Sequence, residues 1–159
     1  MISFHDLYER YAQDVSRFAY WLCGSAAEAE DITAETFFRA WINFDKIQTA
    51  TVKAYLFTIA RNLYLQQRRD NHADTPLDLE WVDPEPGPAA LAEIREELER
   101  VRRQLQVLSE IDRAVFIMRV QAELPYEEIA RVLGLSPSAV KVKVHRARLK
   151  LAQIRLEVE

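Results

Sequence analysis

The sequence of 159 residues predicts an all-α protein: two small helical domains joined by a flexible acidic linker. Three observations carry this. Apolar residues recur at spacings of three and four along most of the chain, and no run of β-branched residues alternates as a strand would. Glycine occurs only three times, and serines and prolines stand at the starts of the apolar periods, where they cap helices. A Pro-rich acidic stretch with neither period divides a chain whose 49% hydrophobic content is that of a folded protein.

The first helix is predicted from Phe4, Leu7, Tyr8 and Tyr11 onward through Val15, Phe18, Ala19 and Leu22, and breaks at Cys23, Gly24 and Ser25. Ser25 suits the N-cap of a second helix carrying Ala29, Ile32, Thr36 and Phe37 and ending near Trp41. Glu28, Glu30 and Asp31 fall in its first turns, as the helix dipole favours. Helical spacing assigns Phe37, Phe38 and Trp41 to the core. Residues 43–46 read as a turn. A third helix from about Val52 carries Tyr55, Leu56, Ile59, Leu63 and Tyr64 and closes on Arg68, Arg69 and Asp70. From Asn71 to about Ala90 the chain holds Pro76, Pro84, Pro86, Gly87 and Pro88 among acidic residues and is expected to be flexible. Trp81, inside this stretch, is expected to dock on one of the domains. Helix resumes near Leu91 and runs through Leu98, Val101, Leu105 and Leu108. Ser109 then caps another helix with Asp112 at its third position, followed by Val115, Phe116 and Met118.

The last segment is the most specific. Pro125 suits a helix entry, with Glu127 and Glu128 at its positive end, and Gly134 stands where that helix must stop. Ser136 and Pro137 open a further helix, in which Val140, Val144, Ala147 and Leu151 form one apolar stripe. Two short helices on a tight turn form a helix-turn-helix, whose second member enters a DNA major groove. With the stripe inward, Ser138, Lys141, Val142, His145 and Arg146 project outward. Lys141, Lys143, Arg146, Arg148 and Lys150 supply cations for phosphates, with no acidic residue among them, and Val142 offers an apolar contact for a thymine methyl.

Charge is unevenly spread. The net −4 divides into −1 over residues 1–70, −8 over 71–99 and +5 over 100–159, so a basic C-terminal unit follows an acidic connector. His5, His72 and His145 are scattered, and no metal-ligand spacing or phosphate loop is present, so neither an enzyme nor a cofactor is expected. Cys23, the single cysteine, is expected to be a small buried residue of a protein in a reducing cytosol, with a redox sensor as the alternative. No apolar run spans a bilayer and the N-terminus lacks the pattern of a signal peptide, so no membrane insertion is expected.

The segment AEDITAETFFRAW over residues 29–41 resembles the polymerase-binding helix in domain 2 of bacterial sigma factors. VKAYLFTIARNL over residues 52–63 resembles the helix that follows it. Ser109 onward, with YEEIA at 126–130 and VKVKVHRAR at 140–148, is similar to domain 4. Two such domains on a connector, at this length, resemble the extracytoplasmic-function (ECF) group of the sigma-70 family. The resemblance implies domain 2 over residues 1–70, a linker over 71–95 and domain 4 over 96–159. It implies binding to core RNA polymerase through Asp31, Glu35 and Arg39, and reading of the promoter minus-10 element through Asn43, Lys46, Tyr55, Arg61, Asn62, Arg68 and Arg69. The minus-35 element falls to Ser138, Lys141, Val142, Lys143, His145, Arg146 and Arg148. It further implies an anti-sigma factor as partner, a monomeric free chain, a cytoplasmic location, and an acidic tether able to lie in a basic channel.

The chain departs from the family pattern at several positions. Tyr55 stands where Trp is usual, Ala34 where Gln is frequent, Gln66 and Arg68 where Asp and an apolar residue are common, and Ala139 and Val142 where Thr and Ser are common. The last two bear on promoter choice. Two other classes remain open from the residues: a dimeric helix-turn-helix regulator acting without polymerase, and a sigma-like mimic that titrates an anti-sigma factor.

Overall fold

The computed structural model describes residues 2–47, 51–70 and 88–158, and every regular element among them is helical. Helix α1 spans Phe4–Cys23, α2 Ala26–Ile42 and α3 Val52–Asp70, with a 3-10 turn at Phe44–Lys46. Helix α4 spans Pro88–Val107, α5 Glu110–Phe116, α6 Tyr126–Leu133 and α7 Pro137–Val158. Between α5 and α6 lies a π-helical turn, Ile117–Gln121, that the apolar period does not announce. The Ala122 N–H reaches back to the Ile117 carbonyl at 3.1 Å, the i to i−5 bond of a π turn. Helix α4 begins at Pro88, ahead of the expected Leu91, because proline is tolerated in a first turn. The last residues of the stretch expected to be flexible, 88–90, are helical; the rest of it, with Trp81, lies outside the described residues.

Local chemistry sets the helix ends. Ser3 and Asp6 form a reciprocal capping box on α1, and Ser25, Ser109 and Ser136 accept backbone N–H groups from Glu28, Asp112 and Ala139 at 3.3, 3.3 and 3.1 Å. Gly24 ends α1 in the left-handed region at φ 75°. A Cβ there would also stand 2.9 Å from Gln106 Nε2, the end of a flexible side chain that can shift, so it is the left-handed turn that needs glycine.

Helices α1, α2 and α3 pack mutually, while α7 packs on α5 and α6. These two groups are not held apart. Helix α3 lies against α6, and one continuous core runs from Leu7, Phe18, Ile32 and Phe57 into Val115, Met118, Ile129 and Val140. At its centre the Phe18 and Phe57 rings stack with centroids 4.5 Å apart.

Helix α2 corrects one expectation. Phe37 is buried, but Phe38 and Trp41 are not core residues: they are 53% and 59% exposed. The inward stripe is Ala29, Ile32, Thr36, Phe37 and Ala40. Its small members let α2 approach its neighbours, while Phe38 and Trp41 are left outside.

Cys23 is buried as expected. Its Sγ donates to the Ser25 carbonyl at 3.3 Å, and burial raises its thiol from an ordinary value near 9 to about 11. Only the thiolate attacks an alkylating agent. Iodoacetamide at pH 8 is therefore expected to leave native Cys23 unmodified and to label it fully in denaturant, read by intact mass. The unfolded chain releases this proton at a lower pH than the folded one, so the thiol's contribution to stability is full below pH 9 and is lost as pH rises toward 11.

Candidate nucleic-acid and polymerase interfaces

The turn between α6 and α7 is built as its residues dictate. Gly134 adopts φ 67° and ψ 35°, and the Leu135 N–H returns to the Ala130 carbonyl at 3.0 Å, closing the C-terminus of α6. Gly134→Ala meets no atom within 4 Å, so its expected cost is the left-handed backbone alone, about 1 kcal/mol, checked by thermal or urea unfolding.

Val140, Val144 and Ala147 are buried, which fixes the rotation of α7 and turns its basic side to solvent. Ser138, Lys141, Val142, His145, Arg146 and Arg148 are all exposed, Val142 at 63%, and Lys143 is half-buried at the margin. Arg146 has a partner. Its Nε and Nη2 donate to the two Asp112 carboxylate oxygens at 3.2 and 2.8 Å. Asp112 is itself buried on α5, so this bidentate pair ties α7 to α5.

On α2, Asp31, Glu35 and Arg39 lie along one side, with Arg39 Nε donating to Glu35 Oε1 at 3.2 Å. Phe38, Trp41 and the 62%-exposed Ile42 continue this surface. Three large apolar side chains open to water beside fixed charges form a candidate protein-binding patch, two of them, Phe38 and Trp41, being residues that helical spacing assigns to the core.

The remaining candidates, on and before α3, are spread over several environments. Lys46, Asn62 and Arg69 are exposed. Asn43 caps the end of α2 and donates from Nδ2 to the Arg39 carbonyl at 3.1 Å, and Tyr55 packs half-buried against the core. Arg68 Nη2 donates to the Cys23 carbonyl at 3.2 Å, and its guanidinium lies 5.0 Å from the Tyr64 ring centroid. Arg61 is held by the other domain: Nε and Nη2 donate to Glu110 Oε1 and Oε2 at 2.7 and 3.0 Å. The first turn of α5 thus binds one arginine from each set expected to contact DNA, Arg61 through Glu110 and Arg146 through Asp112.

Two more bonds cross the same seam. Lys53 Nζ donates to the Ala122 carbonyl at 2.7 Å, and Arg113 Nη2 donates to the Tyr64 hydroxyl at 3.1 Å. Arg113 is buried, and that burial lowers its affinity for its proton. Among the described residues no three His, Cys, Asp or Glu side chains are grouped as metal ligands. No helix among them is long and apolar enough to cross a membrane.

Known proteins share this arrangement. Residues 7–73 match the family Sigma-70 region 2, and residues 98–151 match Sigma-70, region 4. The ECF RNA polymerase sigma factor EcfG of Rhodopseudomonas palustris is 32% identical over 142 residues, 86% of this chain and 76% of that one. SigL of Mycobacterium tuberculosis, another ECF sigma factor, is 32% identical over 145 residues, 89% of this chain and 82% of its own length. The sigma factor RpoE, in its co-crystal with the anti-sigma factor NepR from Bartonella quintana, superposes with a TM-score of 0.77 at 25% identity and 98% coverage of both chains. CnrH, in complex with the cytosolic domain of CnrY, gives a TM-score of 0.74 at 26% identity, covering 98% of this chain and 88% of its own.

Proposed function

Because this chain belongs to the ECF sigma factors of the sigma-70 family, we propose that it binds core RNA polymerase and directs it to a particular set of promoters. Residues 1–70 serve as domain 2, binding polymerase and opening the minus-10 element, 71–95 as the tether, and 96–159 as domain 4, reading the minus-35 element. Polymerase supplies the chemistry and the chain has no catalytic role of its own; its place is the cytoplasm, where polymerase works. The observation that carries this reading is the cationic face of α7, fixed outward by Val140, Val144 and Ala147, in one chain with the charged and apolar face of α2. Polymerase contact falls to Asp31, Glu35 and Arg39, and Phe38, Trp41 and Ile42 extend that contact into an apolar anchor. In vitro transcription with purified core polymerase on a host promoter library is expected to give initiation at discrete sites. Absence of any specific start sinks the reading.

Within domain 4, Lys141→Ala is the cleaner test of duplex contact, since it removes a cation with no carboxylate partner among the described residues. It is expected to weaken promoter binding and to lower the salt slope by about one. Arg146→Ala removes a cation too, but strands the Asp112 carboxylate. It is expected to lower stability besides, read by urea unfolding, because the buried carboxylate loses its partner.

An anti-sigma factor completes the proposal, as it does for RpoE with NepR. Purification from the native host that returned polymerase but never a regulatory subunit would overturn that partner.

A further inference from the structure

Tyr126, the first residue of α6, carries two cations on its ring. The Arg119 guanidinium carbon lies 4.1 Å from the ring centroid and the Lys141 ammonium 5.4 Å from it. The two arrive by different routes. Arg119 stands in the π-helical turn, and its Nη1 donates to the Leu124 carbonyl at 3.1 Å. That bond spans the loop in which Glu123 takes a positive φ of 56°, so Arg119 braces both the loop and the ring that follows it. Lys141 comes from the exposed side of α7, where a flexible four-carbon stem would otherwise leave its ammonium free to wander.

We propose that Tyr126 is a positioning residue for duplex recognition: its ring, fixed by Arg119, holds the Lys141 ammonium in place at the head of the reading helix. The choice of an aromatic holder matters chemically. A carboxylate would fix a lysine equally well but would cancel the charge a DNA phosphate needs. A ring face attracts a cation through its quadrupole and leaves the full charge available. Neither Arg119 nor Lys141 has a carboxylate partner within ion-pair distance among the described residues. By contrast Arg146, five residues along the same helix, is held by Asp112. This inference rests on α7 being the duplex-reading helix, but it depends on neither a particular promoter nor polymerase.

The test uses the full chain and a labelled duplex of about 30 base pairs of mixed sequence, titrated between about 50 and 200 mM salt, where phosphate contacts dominate. Tyr126→Phe keeps the ring face and is expected to bind as the unaltered chain does. Tyr126→Leu keeps apolar bulk without the face and is expected to lose about 2- to 5-fold in affinity, the effect of an exposed cation–π contact. In the Leu background, Lys141→Ala should then cost clearly less than it does alone. Equal costs in the two backgrounds, or a Phe variant as weak as the Leu variant, would overturn the proposal, because a merely structural tyrosine would give additive losses. A second measurement needs no substitution at Tyr126. The ε-methylene protons of Lys141 are expected to show an upfield ring-current shift in the NMR spectrum of the free chain, and their absence from the ring's shielding region overturns the proposal as well. Failure of promoter-specific initiation would leave both results standing, so the two readings fail separately.

Discussion

Replacing Trp41 with serine is expected to weaken assembly with core RNA polymerase by roughly 30-fold or more, the size of loss at an interface hot spot of about 2 kcal/mol. Trp41, Phe38 and Ile42 together place a large apolar surface in water at the end of α2, beside the Glu35–Arg39 pair. Isolated apolar side chains on a surface need no explanation, but three large ones on one helix end form a patch that a partner is suited to cover. The fold has little at stake there. Trp41→Ser is therefore expected to change unfolding free energy by no more than about 0.5 kcal/mol, as exposed substitutions usually do. Phe37→Ala provides the contrast. That ring is buried and packs edge-on against Tyr8 with centroids 4.9 Å apart, so its removal should cost about 3–5 kcal/mol of stability. Competition against labelled chain for purified core polymerase separates the two effects. Assembly by Trp41→Ser at the unaltered affinity would move the polymerase contact off this face.

The contrast between Phe37 and Trp41 also marks what the sequence makes legible. Helices α1, α6 and α7 follow from their apolar periods and from the end signals at Gly24, Gly134 and Ser136. Helix α2 has the same period, yet its buried stripe is made partly of small residues, Ala29, Thr36 and Ala40, on which a helix packs closely. Hydrophobicity alone pointed to the largest side chains, and two of those face solvent. Rotation of α7 was legible because Val140, Val144 and Ala147 leave one side for the cations. The partners of those cations were not. Arg61 meets Glu110 across 49 positions and Arg146 meets Asp112 across 34, and nothing local to any of the four predicts the match. The π-helical turn that carries Arg119 was hidden for a related reason, since one extra residue in a turn leaves no period of its own.

The Arg61–Glu110 pair leads to the second large effect. Glu110→Ala is expected to loosen the seam between α3 and α5 and to make Arg61 available for nucleic acid. The pair is bidentate and mostly shielded, with side-chain exposures of 15% and 22%. A hydrogen-bonded ion pair in such a place is worth about 1–3 kcal/mol, less what residual solvent screens. Scattering from the Glu110→Ala chain should accordingly show a larger radius of gyration, whereas added salt should change the unaltered protein little, because a shielded pair is screened weakly. Binding of the free chain to a mixed-sequence single-stranded oligonucleotide should rise by about 5-fold, equivalent to about 1 kcal/mol. Arg61→Ala is the informative counterpart, because it removes the same pair from the other side. It should expand the chain equally yet lower oligonucleotide binding, since the seam opens and the cation is gone. If both variants expand and neither changes binding, Arg61 serves only the joint between the domains, and strand capture falls to Lys46, Asn62, Arg68 and Arg69, the exposed members of its set. Opposite signs for the two variants would make Glu110 an internal competitor of promoter DNA. The same turn of α5 would then restrain both reading surfaces, Arg61 through Glu110 and Arg146 through Asp112, until polymerase draws the domains apart.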